Sequence, residues 1–168
     1  MARRRYYRRT GKKAKYSIEQ TMINTPANST WPQFAASLPS LAASRQIGFS
    51  VIPPTDVTGM RKVKHFTLSF NGSSDLFPCA YALVYVPEGY EPQRLNLPEQ
   101  NYAFPLYDAN QFIISSGVLD FSGGPLRIRS PLSRNLNSGD SIYLLLATYE
   151  GVEDFTIIAN ISYAITLQ

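Results

Sequence analysis

Apolar and polar residues alternate along the chain from about residue 15 to its end, the period-two pattern of strands with one buried face. The longest case is the C-terminal FTIIANISYAITLQ, where Phe155, Ile157, Ala159, Ile161, Tyr163, Ile165 and Leu167 share one face and Thr156, Asn160, Ser162 and Thr166 the other. The same period sets Phe66, Leu68 and Phe70 against His65, Thr67 and Ser69, and recurs in Ile47, Phe49 and Val51 and in Tyr16, Ile18 and Met22. CAYALVYV and SIYLLLATY are apolar on both faces, which predicts central strands covered twice. Turn chemistry separates these runs: VIPPTDVTG at 51–59, NGSSD at 71–75, SGG at 122–124 and NSGD at 137–140. Eight strands are predicted, over roughly 15–23, 45–52, 61–71, 79–87, 111–118, 125–130, 141–149 and 154–167.

No segment keeps a helical period over three turns, although WPQFAASLPSLAAS at 31–44 has room for one short helical turn. Eight antiparallel strands with long connections near 24–44 and 88–110, and no internal repeat, fit an all-β, eight-stranded antiparallel jelly roll, a Greek-key double sheet. A lectin-like or immunoglobulin-like sandwich is the structural competitor. The expected organisation is a disordered basic arm over residues 1–15 and one domain over 16–168, since 168 residues build one substantial core and not two.

Charge divides the chain at the same place. The arm MARRRYYRRTGKKAK holds eight of the sixteen Lys and Arg residues and none of the twelve acids, so it carries +8 while residues 16–168 carry −4. A net acidic body argues that polyanion contact is concentrated in the arm. The single Cys (Cys79) excludes an intramolecular disulfide, and with a single His (His65) no zinc or haem constellation is expected. No apolar run reaches signal-peptide length after Met1 or approaches the roughly 20 residues of a membrane span, so neither secretion by that route nor membrane insertion is expected.

Enzyme chemistry finds little support, and the chain is read as a non-enzyme without metal or cofactor. His65 falls on the polar face of a strand beside Lys62 and Lys64, where a surface or interface role is commoner than a catalytic triad. Cys79 opens an apolar strand, as a buried inert thiol does. Asp75, Asp108, Asp120 and Asp140 all lie in or beside turns, and no spacing pairs them as hydrolase carboxylates. SGGP leads into a strand and not a helix, unlike a phosphate-binding loop.

The arm is the candidate binding element. Arg3, Arg4, Arg5, Arg8 and Arg9, with Lys12, Lys13 and Lys15, supply phosphate contacts, while Tyr6 and Tyr7 supply rings for stacking on unpaired bases, a combination suited to single-stranded nucleic acid. A nuclear-localisation signal reads the same way, and both roles fit one segment. A second basic group follows from parity: with Leu126 and Ile128 facing the core, Arg127 and Arg129 share the opposite face, as do Arg61 and His65 on their strand. These extend the arm's contact, or else pair as surface arginines with acids of neighbouring subunits. The loop NLPEQNYAFPLYDANQF is expected to expose Tyr102, Phe104, Tyr107 and Phe112 as subunit-interface anchors, the alternative being that the rings pack beneath their own loop.

A basic, Tyr-containing arm followed by eight short strands resembles the capsid proteins of small circular single-stranded DNA viruses, the circovirus-like group. RKVKHFTLSF and YALVYVPEGY look like that family's strands D and E, and GPLRIRSPLSRNLNSGDSIYLLL at 124–146 like its last-but-one hairpin, whose loop makes subunit contacts. The resemblance implies a jelly roll assembled into a closed icosahedral shell of about 60 copies (T=1), and Arg134, in that hairpin, is expected at the subunit interface as Phe104 and Tyr107 are. About 60 arms would place roughly 480 positive charges against the packaged strand. It also implies virion localisation, passage through the host nucleus with import machinery as a partner, and single-stranded DNA as cargo. A small RNA or satellite virus coat protein, or a cellular nuclear β-sandwich that binds nucleic acid, are the alternatives.

Overall fold

The computed structural model describes residues 15–34, 43–56, 58–72, 79–97, 105–149 and 152–167. Nine strands form among them: β1 (Ser17–Asn24), β2 (Gln33–Phe34), β3 (Ser44–Ile52), β4 (Arg61–Gly72), β5 (Cys79–Val86), β6 (Ile113–Leu119), β7 (Leu126–Leu136), β8 (Ser141–Tyr149) and β9 (Ile157–Leu167). Two single 3-10 turns, Asn28–Thr30 and Asn110–Phe112, interrupt the two long connections. The ninth strand is the two-residue β2, which lies in the first long connection and pairs with β3; residues 35–42 of the stretch read as a possible helical turn lie outside the described residues.

One sheet has the order β1-β9-β4-β7 and the other β2-β3-β8-β5-β6, all neighbours antiparallel. With β2 set aside, β1 pairs with β9, β3 with β8, β4 with β7 and β5 with β6. That is one long eight-stranded hairpin rolled onto itself, a jelly roll. The apolar faces of the two sheets meet in a core around Phe66, Leu68, Phe70, Leu83, Leu144 and Ile157, each at most 1 % exposed. The doubly apolar strands β5 and β8 are covered twice, as their composition predicts. Their second face, with Ala80, Ala82, Val84, Leu145 and Ala147, packs against Leu95 and Tyr107 of the β5–β6 loop. Gln46 anchors that loop, donating through Nε2 to the Leu95 carbonyl and accepting from the Leu95 amide, both at 2.8 Å.

The first connection is fixed by side chains that act as strand backbone. Buried Asn28 accepts from the Phe155 amide (2.8 Å) and donates to the Glu153 carbonyl (3.2 Å), and Thr25 Oγ1 accepts from the Ile157 amide (2.8 Å). Opposite, buried Asp140 accepts from Tyr85 Oη (2.8 Å) and from the amides of Glu88 (3.0 Å) and Asn137 (2.7 Å), joining the turns after β5 and β7. Beside it Gly139 adopts φ 77°, and a Cβ there would collide with the Glu88 side chain.

Two face assignments differ from those read off the sequence. On β1 it is Thr21 and Ile23 that turn inward, whereas Ile18 and Met22 are 78 % and 73 % exposed. Strand β9 dictates this, because its buried Ala159 and Ile161 stand opposite Ile23 and Thr21. On β4 the ladder slips between Lys64 and Phe66, with His65 at φ 57°. The bulge moves the buried set from Arg61 and Val63 to Phe66, Leu68 and Phe70, so Arg61 does not join Arg127 and Arg129 on the outer face. Its guanidinium is buried and donates to the Asp140 carbonyl at 2.9 Å. At the same level β7 passes Pro131, which an edge strand tolerates at a slip in the ladder.

A residue in left-handed conformation is strained unless it is glycine or an asparagine-like side chain. His65→Val is expected to lower the free energy of urea unfolding by about 1–2 kcal/mol, and His65→Gly to leave it within about 0.5 kcal/mol of the parent.

Candidate nucleic-acid interface

The outward face of the four-stranded sheet is built rung by rung from the register. One rung carries Arg127, Ser69, Asn160 and Met22, and the next carries Arg129, Thr67, Ser162 and Gln20. Past the bulge follow Ser133, Lys64, Ala164 and Ile18, then Asn135, Lys62 and Thr166. Four cations, several hydroxyls and several amides therefore share one surface, and no outward position on these strands is a carboxylate. Glu19 of β1 sits on the inward parity and accepts from Tyr163 Oη at 3.2 Å. Other acids are held at turns: Asp154 by Ser29, Asp108 by Asn96, and Asp120 by the Ser122 amide, whose hydrogen bond pulls the Asp120 carboxyl below its ordinary range.

Among the described residues this face gathers several unpartnered cations; elsewhere Arg45, on β3 of the other sheet, also leaves its Nε buried without a hydrogen bond. Arg61 binds backbone carbonyls, Arg94 lies over the Phe34 ring at 3.8 Å, and Arg134 donates to the Gln111 carbonyl at 2.8 Å. Among the described residues Lys62, Arg127 and Arg129 have no hydrogen-bond or ion-pair partner. Arg127 and Arg129 are exposed and stand beside Ser69 and Thr67, as parity predicted. Lys62 and Lys64 were not assigned to this face from the sequence. The signal for them was RKVKHF, where Val63 is out of phase with Phe66, Leu68 and Phe70 and so betrays a bulge.

The arm joins this same sheet. Exposed Lys15 precedes Tyr16, whose ring lies 3.7 Å beneath the Lys64 ammonium, and the chain then enters edge strand β1 at Ser17. Arg3, Arg4, Arg5, Tyr6, Tyr7, Arg8, Arg9, Lys12 and Lys13 lie outside the described residues, as do Tyr102 and Phe104.

The three described interface candidates, Tyr107, Phe112 and Arg134, are occupied within their own subunit. Tyr107 is not an exposed anchor: it is 2 % exposed, packs in the cluster between loop and sheet, and accepts from the Gln93 amide at 3.2 Å. Small residues on β5 and β8 let the loop approach closely enough to bury it. Phe112 packs edge-on against Tyr85, ring centroids 5.5 Å apart. Arg134 is half-buried and ties β7 to the segment before β6. Burial pushes the Cys79 thiol up to about 12, so it is protonated at neutral pH and lacks the thiolate a nucleophile needs. Burial and the hydrogen bond to Asp140 likewise push the Tyr85 hydroxyl up to about 12. No group of three or more His, Cys, Asp or Glu residues is placed to hold a metal ion among the described residues.

No family model and no curated protein matches the chain. Among solved structures it is similar to dimeric latent PorU from Porphyromonas gingivalis, with 14% identity, a TM-score of 0.35 and coverage of 94% of this chain. It spans 14% of that chain, and a likeness at this level carries no argument.

Tyr107→Ser is expected to lower the unfolding free energy by about 3 kcal/mol in urea titration of the isolated subunit, because a buried ring is lost. Unchanged subunit stability combined with lost association would restore the interface reading. Raised thiol and phenol pKa values mean that the folded form holds protons the unfolded chain has released. Stability is therefore complete below about pH 9 and declines as pH rises from there toward 12, which chemical unfolding across that window measures.

Proposed function

We propose that the protein is a viral coat protein that self-assembles into a small icosahedral shell and packages single-stranded DNA through its arm and the sheet face from which the arm departs. One observation carries this reading: the acid-free face bearing Lys62, Lys64, Arg127 and Arg129 belongs to the sheet whose edge strand continues into the +8 arm. Charge alone would suit any polyanion. The addition of arm tyrosines and of amide and hydroxyl rows favours an unpaired strand, whose bases are free to stack and hydrogen-bond.

The jelly roll suits a shell because it is a compact block with two broad faces. Here the β5–β6 loop covers much of the outer face of the five-stranded sheet, leaving the basic face of the other sheet for the interior. In the assembled particle about 60 arms would line the lumen. Packaging would follow from neutralisation of phosphates and release of their counterions, so assembly and cargo loading would be coupled and salt-dependent. Residence in the virion, and in the host nucleus during assembly, follows from this reading.

The full chain and a form beginning at Tyr16 should be compared by negative-stain microscopy, the ratio of absorbance at 260 and 280 nm, and sensitivity of the extracted cargo to DNase and RNase. Uniform spheres holding DNase-sensitive nucleic acid, lost with the arm, are expected. RNase-sensitive cargo would replace DNA by RNA, and small discrete oligomers in both preparations would overturn the shell. Replacing Arg127 and Arg129 together with Ser is expected to reduce the slope of log affinity against log salt for a single strand by about 1.4. An unchanged slope would confine binding to the arm.

A further inference from the structure

We propose that the basic face contains a seat for one unstacked nucleobase of the bound single strand, beside Arg127. This rests on the nucleic-acid reading above and adds to it a base contact distinct from phosphate neutralisation.

A cavity of about 390 Å3 opens on this face at the end of the sheet, within the range of small-ligand sites. Its apolar surface comes from Met22, Leu126 and Ile158, with Phe70 below, and its polar groups from Asn71, Asn160 and Arg127. Register accounts for the grouping: Asn160 stands opposite both Met22 and Ser69, Asn71 opposite Ile158, and Ser69 opposite Arg127. Met22 is 73 % and Ile158 46 % exposed, so the described chain leaves this apolar surface uncovered.

The chemistry fits a base better than a purely apolar partner. Flat apolar surface from Met and Ile accepts the face of a heterocycle, and a primary amide offers both a donor and an acceptor to its edge. Arg127, which has no partner of its own among the described residues, sits where it can hold the adjoining phosphate. Among the described residues no carboxylate lines the cavity. The position is also continuous with the arm: Ile18, at the level of Lys64, and Met22 are four residues apart on β1, about 13 Å. A strand captured by the arm would pass Lys64 and Arg129 before reaching Arg127.

The test uses the full chain carrying Tyr6→Ser and Tyr7→Ser, so that stacking in the arm does not mask the seat. Fluorescence anisotropy is recorded with two probes of equal length and charge, oligo-dT and a tetrahydrofuran abasic strand. An approximately tenfold preference for oligo-dT is expected. Adding Met22→Ser and Asn160→Ala, both at outward positions, should abolish the preference while keeping the salt slope; thermal unfolding checks that the fold is retained. Equal affinity for the two probes, or a preference that survives these substitutions, overturns the seat and leaves the electrostatic reading standing. Failure of both probes to bind overturns the nucleic-acid reading and the seat with it. Substitutions that block association of subunits without changing the preference would assign the cavity to a second copy of the chain and overturn the proposal.

Discussion

The bulge at His65 is the constraint on which the basic face depends. Without it, the strand that buries Phe66, Leu68 and Phe70 would also turn Lys64 and Lys62 toward the core, where two unpaired ammonium groups would be prohibitive. One extra residue reverses the phase, so that Val63 goes in and both lysines come out onto the rungs continuing those of Arg127 and Arg129. The same reversal places Arg61 inside, where it is tolerable because the Asp140 and Pro53 carbonyls receive its guanidinium. A backbone irregularity of one residue thereby sorts the three cations of β4 into one structural and two surface roles.

The two sheets play unequal parts because, among the described residues, a loop covers the centre of only one. Ala80, Ala82 and Ala147 leave room for the β5–β6 loop to settle on the five-stranded sheet, and the paired hydrogen bonds between Gln46 and Leu95 hold it there. The central strands β5 and β8 of that sheet are thus buried on both sides, while Val118 on β6 stays 63 % exposed. Among the described residues no loop packs over the outer face of the four-stranded sheet, which is the sheet that Lys15 and Tyr16 lead into. Covering the centre of one sheet and charging the outer face of the other gives the domain two chemically distinct sides.

Much of this was legible in the chain. Alternation located seven of the eight long strands within about three residues, while β7 runs on past Pro131 to Leu136, six residues beyond its expected end, and the doubly apolar segments are strands covered twice. Arg127 and Arg129 were assigned to a shared outward face from parity alone, since β7 keeps its phase from Leu126 to Ser130. Parity failed where its premise failed. It misplaced Arg61 because β4 changes phase midway, and it misread β1 because a strand with isolated apolar residues on both parities, Ile18 and Met22 against Ile23, takes its facing from its partner. Tyr107 was misread for a different reason: nothing local indicates whether a loop aromatic lies under the loop or on it.

By itself the sequence determined the class of fold, the separation of a +8 arm from a −4 body, the strand positions and the inert character of Cys79. These are properties of local pattern and composition, set by period-two burial and by charge counting. Tertiary structure alone decided that Lys62 and Lys64 join Arg127 and Arg129, that the arm enters the same sheet, that Tyr107 is core, and that Met22, Asn71, Asn160 and Arg127 meet around one cavity. Each depends on register between strands far apart in the chain. Register is fixed by the joint fit of buried faces, bulges and turns across the whole sandwich, and no single segment carries that information.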